Sequence, residues 1–422
     1  MTLKILIGKI HLWLGLTSGL VVFVVSLTGC LWVFQDELCP LFYADRMFIE
    51  VSASTERLPV ANLIDRAEAV LGNQYTAERM HYPNVPNETA YVQFRKFNTR
   101  EEGHSPVWYG DYVAYFYKVY LNPYTGEVVK VENTKWEFFN VVLWLHFSLL
   151  LEYSIGHTIV GYAVLIFVVM LITGLVLWWP KNKAAAKQRF WFRWKATTRW
   201  KRKNYDLHNI AGFYALIVAL LIALTGLVWA FDWVDHSVQW LANGGKVIEQ
   251  PAPQYTITPT ETESTLDQIM TQMFTDHPEA LSFYLRFPRE EGAPLSLSAT
   301  LGKGYKSWVS YQFNPYTGEQ LSQEDWSDLN NGQKVSALNY PIHVGGILGF
   351  PGKVLAFLAS LVSASLPITG FYIWWGRRKK KKRGTGTSKT KRPIKAGVHS
   401  TGKRPSRTKP VYTRVKVPSS SN

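Results

Sequence analysis

Residues 11–32 read HLWLGLTSGLVVFVVSLTGCLW, and residues 208–230 read HNIAGFYALIVALLIALTGLVWA. Each stretch starts on a histidine, stays apolar, and reaches a Thr-Gly pair seventeen residues later, at Thr28-Gly29 and Thr225-Gly226. Each then meets a tryptophan, Trp32 or Trp229. An apolar run of about 18 residues or more reads as a membrane span, so both stretches are expected to cross a bilayer. Two more runs qualify, at about 157–179 and 353–375, and the first and third extend over about 10–34 and 208–231. Tryptophans bracket the runs (Trp13 and Trp32, Trp178 and Trp179, Trp229 and Trp233, Trp374 and Trp375), as interfacial belts do. The first run has no small-residue cleavage pattern and is expected to be a retained helix.

The two quoted stretches open a longer recurrence. Leu121-Asn122-Pro123-Tyr124-Thr125-Gly126-Glu127 is answered by Phe313-Asn314-Pro315-Tyr316-Thr317-Gly318-Glu319. His146 is answered by His343, Thr173-Gly174 by Thr369-Gly370, and Trp178-Trp179 by Trp374-Trp375, at offsets of 192 to 197 residues. Each unit therefore reads as a helix going out, an outside segment, and a helix coming back. Two such hairpins of one orientation are expected to pack about a pseudo-twofold axis along the membrane normal. Alternating stretches such as Tyr112–Tyr120 and Ser307–Phe313 predict strands, the Asn-Pro-Tyr-Thr-Gly-Glu runs predict tight turns, and 59–72 and 264–277 predict helices. The outside segments thus read as two separate α+β units, each a helix on an antiparallel sheet.

Charge sets the orientation. The chain carries 46 Lys and Arg against 31 Asp and Glu, a net charge of +15. Ten basic residues and no acid lie in 181–203, and seventeen with no acid in 377–422. With Lys4 and Lys9 set aside as well, the rest of the chain holds 17 basic and 31 acidic residues. Basic residues gathered beside spans follow the positive-inside rule and argue against a nucleic-acid partner. The N-terminus, the 181–203 loop and the C-terminus are expected on the cytoplasmic side, with 35–140 and 232–340 outside. The tail reads as a solvated topology anchor, or as a contact to anionic lipid. Cys30 and Cys39 allow an outside disulfide or two unpaired thiols, and no CxxC or CxxCH run is present.

The strand–Asn-Pro-x-Thr-Gly-Glu–strand signature, written twice between helices that end in Thr-Gly-x-x-x-Trp-Trp, resembles the bacterial PepSY-associated transmembrane proteins. Some of these are called iron-regulated membrane proteins, and they include inner-membrane reductases of ferric siderophores. The resemblance covers about residues 5–380 and leaves out the basic tail. It implies four transmembrane helices from an internal duplication, two periplasmic PepSY-like α+β domains, and two b-type haems between the helices. The organisation expected is a first transmembrane helix (1–34), periplasmic domain 1 (35–140), and an interfacial segment with the second transmembrane helix (141–180). A basic cytoplasmic loop (181–204) and the third helix (205–231) follow. Periplasmic domain 2 (232–340), an interfacial segment with the fourth helix (341–376) and a disordered basic tail (377–422) complete it.

The histidines support a haem reading on their own. Of ten, five lie in or beside the spans: His11, His146, His157, His208 and His343. Ionisable groups there are costly and are functional candidates, and neutral imidazole is the usual axial ligand of b-type haem. His11 and His208 occupy equivalent places near the cytoplasmic ends of the first and third spans, about 25 Å below their Thr-Gly pairs. His146 and His343 form the equivalent outer pair, with His157 a rival partner for His343. Gly156, Gly345, Gly346, Gly349 and Gly352 leave room for a macrocycle or a helix break, and Trp13 and Trp144 could pack on porphyrin. The other reading is that such histidines only bond carbonyls or face headgroups, and that the Thr-Gly pairs serve helix packing. No nucleotide or flavin fingerprint and no HExxH run is present, so electrons would come from quinol or a separate reductase. His81, His104, His236 and His277 of the outside segments could meet a ferric chelate or be ordinary surface residues.

These readings converge on a di-haem b membrane oxidoreductase. Electrons would pass from the His11–His208 site to the His146–His343 site and then to an outside acceptor, by resemblance a ferric siderophore. One rival is a non-enzymatic module that binds a peptidase or envelope protein through its outer domains. A transporter is the second rival, but it calls for a midplane carboxylate, and none is present.

Overall fold

The structure, a computed structural model, describes residues 2–50, 56–72, 74–99, 103–180, 182–248, 255, 257–259 and 265–384. Most of the tail expected at 377–422 lies outside these residues, as does residue 264 of the helix expected at 264–277. Met1–Arg377 form one compact unit, and Arg378–Asn422 a second.

Four helices are long and apolar enough to cross a membrane: Leu3–Trp32, Tyr153–Trp178, Trp200–Ala230 and Gly346–Arg378. Only 28–33% of their most apolar windows is buried inside the protein. A helix that is apolar all round needs apolar surroundings on every side. Since these helices leave most of their surface uncovered by protein, lipid must cover it, and the protein is a multi-pass membrane protein. The second span packs on the first and on the third, around Val22, Phe167, Leu171, Ala219 and Ala223. The third span holds a π-helical turn at Leu207–Ala211, which contains His208.

Outside the spans the chain forms one antiparallel sheet of eight strands. In chain order these are β1 (Ala77–Pro83), β2 (Ala90–Phe97), β3 (Val113–Leu121), β4 (Val128–Asn133), β5 (Ser282–Arg286), β6 (Leu295–Thr300), β7 (Trp308–Phe313) and β8 (Gln320–Asp325). Their spatial order is β4-β3-β2-β1-β5-β6-β7-β8. Each half of the chain contributes four strands, and the halves meet where β1 pairs with β5, Met80 opposite Leu285 and His81 opposite Tyr284. The expected pair of separate units is therefore one layer. An unpaired strand edge exposes a row of N–H and C=O groups, and each half meets that need with the other's edge. Glu78 reinforces the seam: its carboxylate accepts from Gln93 (2.9 Å) and Arg95 (2.9 and 3.0 Å) of its own half, and from Arg289 of the other.

Helices Val60–Leu71 and Leu266–Asp276 cover one face of the sheet. Leu63, Ala67, Ile269 and Met273 pack there on Met80, Val92, Phe94, Phe283, Leu285 and Leu297, all essentially inaccessible to solvent. The two Asn-Pro-Tyr-Thr-Gly-Glu turns close alike. Asn122 Oδ1 accepts from the Tyr124 and Thr125 amides, and Asn314 Oδ1 from those of Tyr316 and Thr317. Gly126 and Gly318 supply φ of +69° and +73°.

Candidate functional site

Two short helices, Phe138–Ser148 and Asn331–His343, come back from the sheet and carry His146 and His343 into the bundle. The Glu137 carboxylate caps the first, and a capping box of Asn330 and Gln333 starts the second. The chain then doubles back into a span. After His146 it passes through Leu149 and Leu150 at φ of +57° and +56°, and after His343 through Gly345 at +76°. The reversals are tight enough that a Cβ on Gly156 would stand 1.9 Å from the Ser148 carbonyl oxygen, and one on Gly352 2.0 Å from that of Gly345. These glycines therefore serve the helix break, not space for a macrocycle.

All four paired histidines are held by one device, and the Thr-Gly pairs supply it. Nδ1 of His146 lies 3.1 Å from Thr28 Oγ1 and 3.0 Å from the Val25 carbonyl oxygen, and that of His343 2.9 Å from Thr225 Oγ1. His11 Nδ1 lies 2.9 Å from Thr173 Oγ1, and His208 Nδ1 2.9 Å from Thr369 Oγ1. Each threonine hydroxyl has a backbone carbonyl four residues back in reach, at 2.8–3.0 Å (Val24, Val169, Leu221 and Ser365). The hydroxyl proton is spent on that carbonyl, so the oxygen accepts, and the imidazole Nδ1 donates. The tautomer is thereby set with a free lone pair on Nε2.

The glycine after each threonine lets the ring approach. A Cβ at Gly29, Gly174 or Gly370 would stand 3.2–3.3 Å from Cε1 of His146, His11 or His208, and one at Gly226 3.6 Å from that of His343. Two buried asparagines, four residues before His208 and His343, also reach this device. Asn204 donates to the Thr369 carbonyl and Asn339 to that of Thr225, each at 3.0 Å.

The His146 and His343 ring centres are 6.1 Å apart. Two imidazoles that bind one metal ion from opposite sides, with bonds of about 2 Å, hold their ring centres about 6 Å apart. Beside the pair lies a cavity of about 500 Å³, lined largely by apolar side chains with Gly29, Gly226, Trp32 and Trp229 among them. Cavities of about 300–1,000 Å³ take drug-sized ligands and cofactors. Among the described residues no group of three or more His, Cys, Asp or Glu could hold a metal ion. A metal held by this pair would need its remaining ligands from a group such as a macrocycle. His11 and His208 lie within electrostatic range of one another, and form the pair at the opposite end of the first span.

The profile of the PepSY-associated TM region matches residues 9–377. The chain belongs to the PepSY-associated TM family. No curated protein matches it.

In this PepSY-associated protein the other sequence candidates fall elsewhere. His157 lines the same cavity but stacks on Tyr153 (4.8 Å, 15°). Trp144 is buried in an aromatic cluster with Tyr109, Phe116 and Phe147 and does not line this cavity, and Trp13, beside the inner pair's His11, is 66% exposed. Trp229 packs edge-on against His343 at 5.1 Å, and the Trp32 indole donates to the Tyr340 hydroxyl (3.4 Å). These belt tryptophans form part of the cavity wall. Cys30 and Cys39 are free thiols, the first reaching the Phe357 carbonyl (3.6 Å) and the second accepting from Gln35 (3.4 Å). His236, on the helix Asp232–Ala242, and His104 are exposed, His277 lies 2.6 Å from the Tyr311 hydroxyl, and His81 stacks on Tyr91.

Sequence reasoning missed Asn204 and Asn339, which look like ordinary polar residues at span ends. Their place four residues before a histidine, in one half of the chain only, was the available signal. The role of the Thr-Gly pairs was also missed, because no spacing along one helix shows which histidine of another helix a threonine meets.

Proposed function

We propose that this protein is a di-haem b oxidoreductase of a bacterial inner membrane. In this reading it passes electrons from the cytoplasmic or quinol side to a periplasmic acceptor, a ferric siderophore by resemblance to its family. The observation that carries the reading is the fourfold His–Thr–Gly device. A merely structural histidine needs any one hydrogen bond, whereas here four imidazoles present Nε2 as a free donor atom in the same manner. His146 and His343 would hold one haem, and His11 and His208 the other. Haem supplies a one-electron couple when bound.

The protein's own groups do the rest. The threonine hydroxyls fix tautomer and ring orientation, and an acceptor on Nδ1 makes Nε2 a stronger donor. The apolar cavity wall excludes water from the outer site. The two sites are separated by about 25 Å along the first span, the rise from His11 to Thr28, so charge is carried from one membrane face toward the other. The basic 181–203 loop supports a cytoplasmic place for the inner pair. The recurring order of span, core helix, four strands, short helix and span supports an origin by duplication.

The test is the visible spectrum of the detergent-purified protein, oxidised and dithionite-reduced, with a pyridine haemochrome count. Two b haems per chain, falling to one in His343→Ala and staying at two in His157→Phe, is the expected result. A colourless protein from haem-replete cells would sink the reading and leave a membrane-anchored module that binds a periplasmic partner.

A further inference from the structure

The recurrence breaks at one place beside the outer pair. Gly156 and Gly352 close equivalent reversals, since a Cβ on either would strike a carbonyl oxygen of the turn before it. The next residue is His157 in one half and Lys353 in the other. The Lys353 ammonium is spent: it reaches Asp36 at 3.1 Å and Glu37 at 2.8 Å, just past the first span. Phe34, two residues earlier, packs on Phe350 and Phe357 at 5.8 and 5.6 Å between ring centres. That corner of the bundle is closed, and it sets two carboxylates against one cation.

His157 has no such partner. Its ring stacks on Tyr153 and lines the cavity of the outer histidines. Neither its ring nitrogens nor the Tyr153 hydroxyl makes a hydrogen bond or ion pair with another described residue. Tyr153 lines the cavity and is also exposed, so the cavity opens at this corner. Glu152, next in the chain, is turned onto its own helix, where its carboxylate accepts from the Ser154 and Ile155 amides at 3.0 and 3.1 Å.

The rest of the wall offers an anion little. Among the described residues no lysine or arginine lines the cavity. Apart from the His146–His343 pair and three serines, its polar side chains are Trp32, Trp229, Tyr340, Tyr153 and His157. The Tyr340 hydroxyl already accepts from the Trp32 indole and stands within electrostatic range of Asp36, which disfavours an anion there. Tyr153 and His157 lie instead in the first turns of the span Tyr153–Trp178, whose N-terminal partial charge favours one. An apolar cavity with one polar, hydrogen-bonding mouth suits a flat apolar group that carries carboxylate arms.

We infer that His157, with the Tyr153 hydroxyl, holds a carboxylate arm of the group bound between His146 and His343, and so sets which way round that group sits. The inference rests on the proposed haem reading, since haem b carries two propionate arms. His157 is then a positioning residue and not an axial ligand. A donor on the propionate offsets part of its negative charge, which otherwise favours the ferric state, so His157 also raises the potential of the outer site.

The experiment is a potentiometric titration of the purified full chain above neutral pH, where propionates are ionised. It is followed at the reduced α-band, with the outer haem identified as the one missing from His343→Ala. His157→Phe keeps a ring against Tyr153 and removes the donor. Both haems should remain, and reduction of the outer one should weaken about fivefold, about 40 mV at about 59 mV per tenfold for one electron. The inner midpoint should not move. His157→Gln restores an N–H donor and should recover most of the shift, and Tyr153→Phe should give a smaller fall of the same sign. An outer midpoint unaltered in His157→Phe, or lowered as far in His157→Gln, overturns the inference and leaves the haem reading standing. Loss of the outer haem from His157→Phe also overturns it, because His157 would then be a ligand. A colourless parent removes the haem reading and the inference together.

Discussion

Replacing Thr225 with valine tests the His–Thr–Gly device at one atom. Valine keeps the shape and removes the hydroxyl, so His343 Nδ1 loses the acceptor 2.9 Å away. The hydroxyl's own contacts to the Leu221 and Ile222 carbonyls (3.0 and 2.8 Å) disappear too, but those carbonyls stay bonded within the helix. A neutral hydrogen bond contributes about 1 kcal/mol net, and removing the partner of a ligating histidine commonly costs 10–100-fold in affinity. The Ile222 carbonyl also faces His343 and can take the Nδ1 proton. The loss should therefore fall at the low end, about tenfold or about 1.4 kcal/mol.

The assay is the rate of haem transfer from the purified protein to excess apomyoglobin, with Thr369→Val as the matched change at the inner site. Each variant should accelerate the release of one haem about tenfold and leave the other alone. Unchanged release in both variants would refute the claim that the threonines orient ligands. So would a loss as complete as that of His343→Ala, because it would mean that the threonine supports the fold and not the ring.

Two further changes probe the scaffold. Gly156→Ala places a Cβ 1.9 Å from the Ser148 carbonyl oxygen, a backbone clash that no rotamer relieves. It should cost about 3 kcal/mol or more, seen as a lower melting temperature in detergent, whereas Gly226→Ala, at 3.6 Å from His343, should melt close to the parent. Glu78→Gln should destabilise the sheet by about 3 kcal/mol, because Arg95 and Arg289 lose their anion at a buried site. Burial pushes the Glu78 carboxyl up, but Arg95, Gln93 and Arg289 together hold it below its ordinary 4.5. Its contribution is then complete above that value and fades as pH falls through the lowered one. The parent should lose melting temperature over that acid range, and the variant should show a smaller loss from this source; equal slopes would count against the seam.

The spans, the recurrence and the strands were legible in the residues themselves. Apolar run length is a local quantity, and the chain 11–32 announces a crossing without reference to anything else. Period-two alternation marked β3 and β7 in the same way, and the Asn-Pro-Tyr-Thr-Gly-Glu turns close through bonds among their own residues. Family membership was legible for a related reason, since it rests on linked local motifs.

Contacts between distant segments were not legible. The sheet reads as two units in sequence because nothing in Met80 or Leu285 says that β1 and β5 will meet. That pairing is decided by two four-stranded halves whose free edges the bundle brings side by side. The histidines were visible as candidates, but only packing decides that Thr28 meets His146 and Thr173 meets His11. A helix fixes the spacing of its own side chains and leaves open the rotation and depth of its neighbour. Sequence alone thus determined what crosses the membrane and which residues could serve. Tertiary structure alone decided that four threonines hold four imidazoles by one nitrogen each.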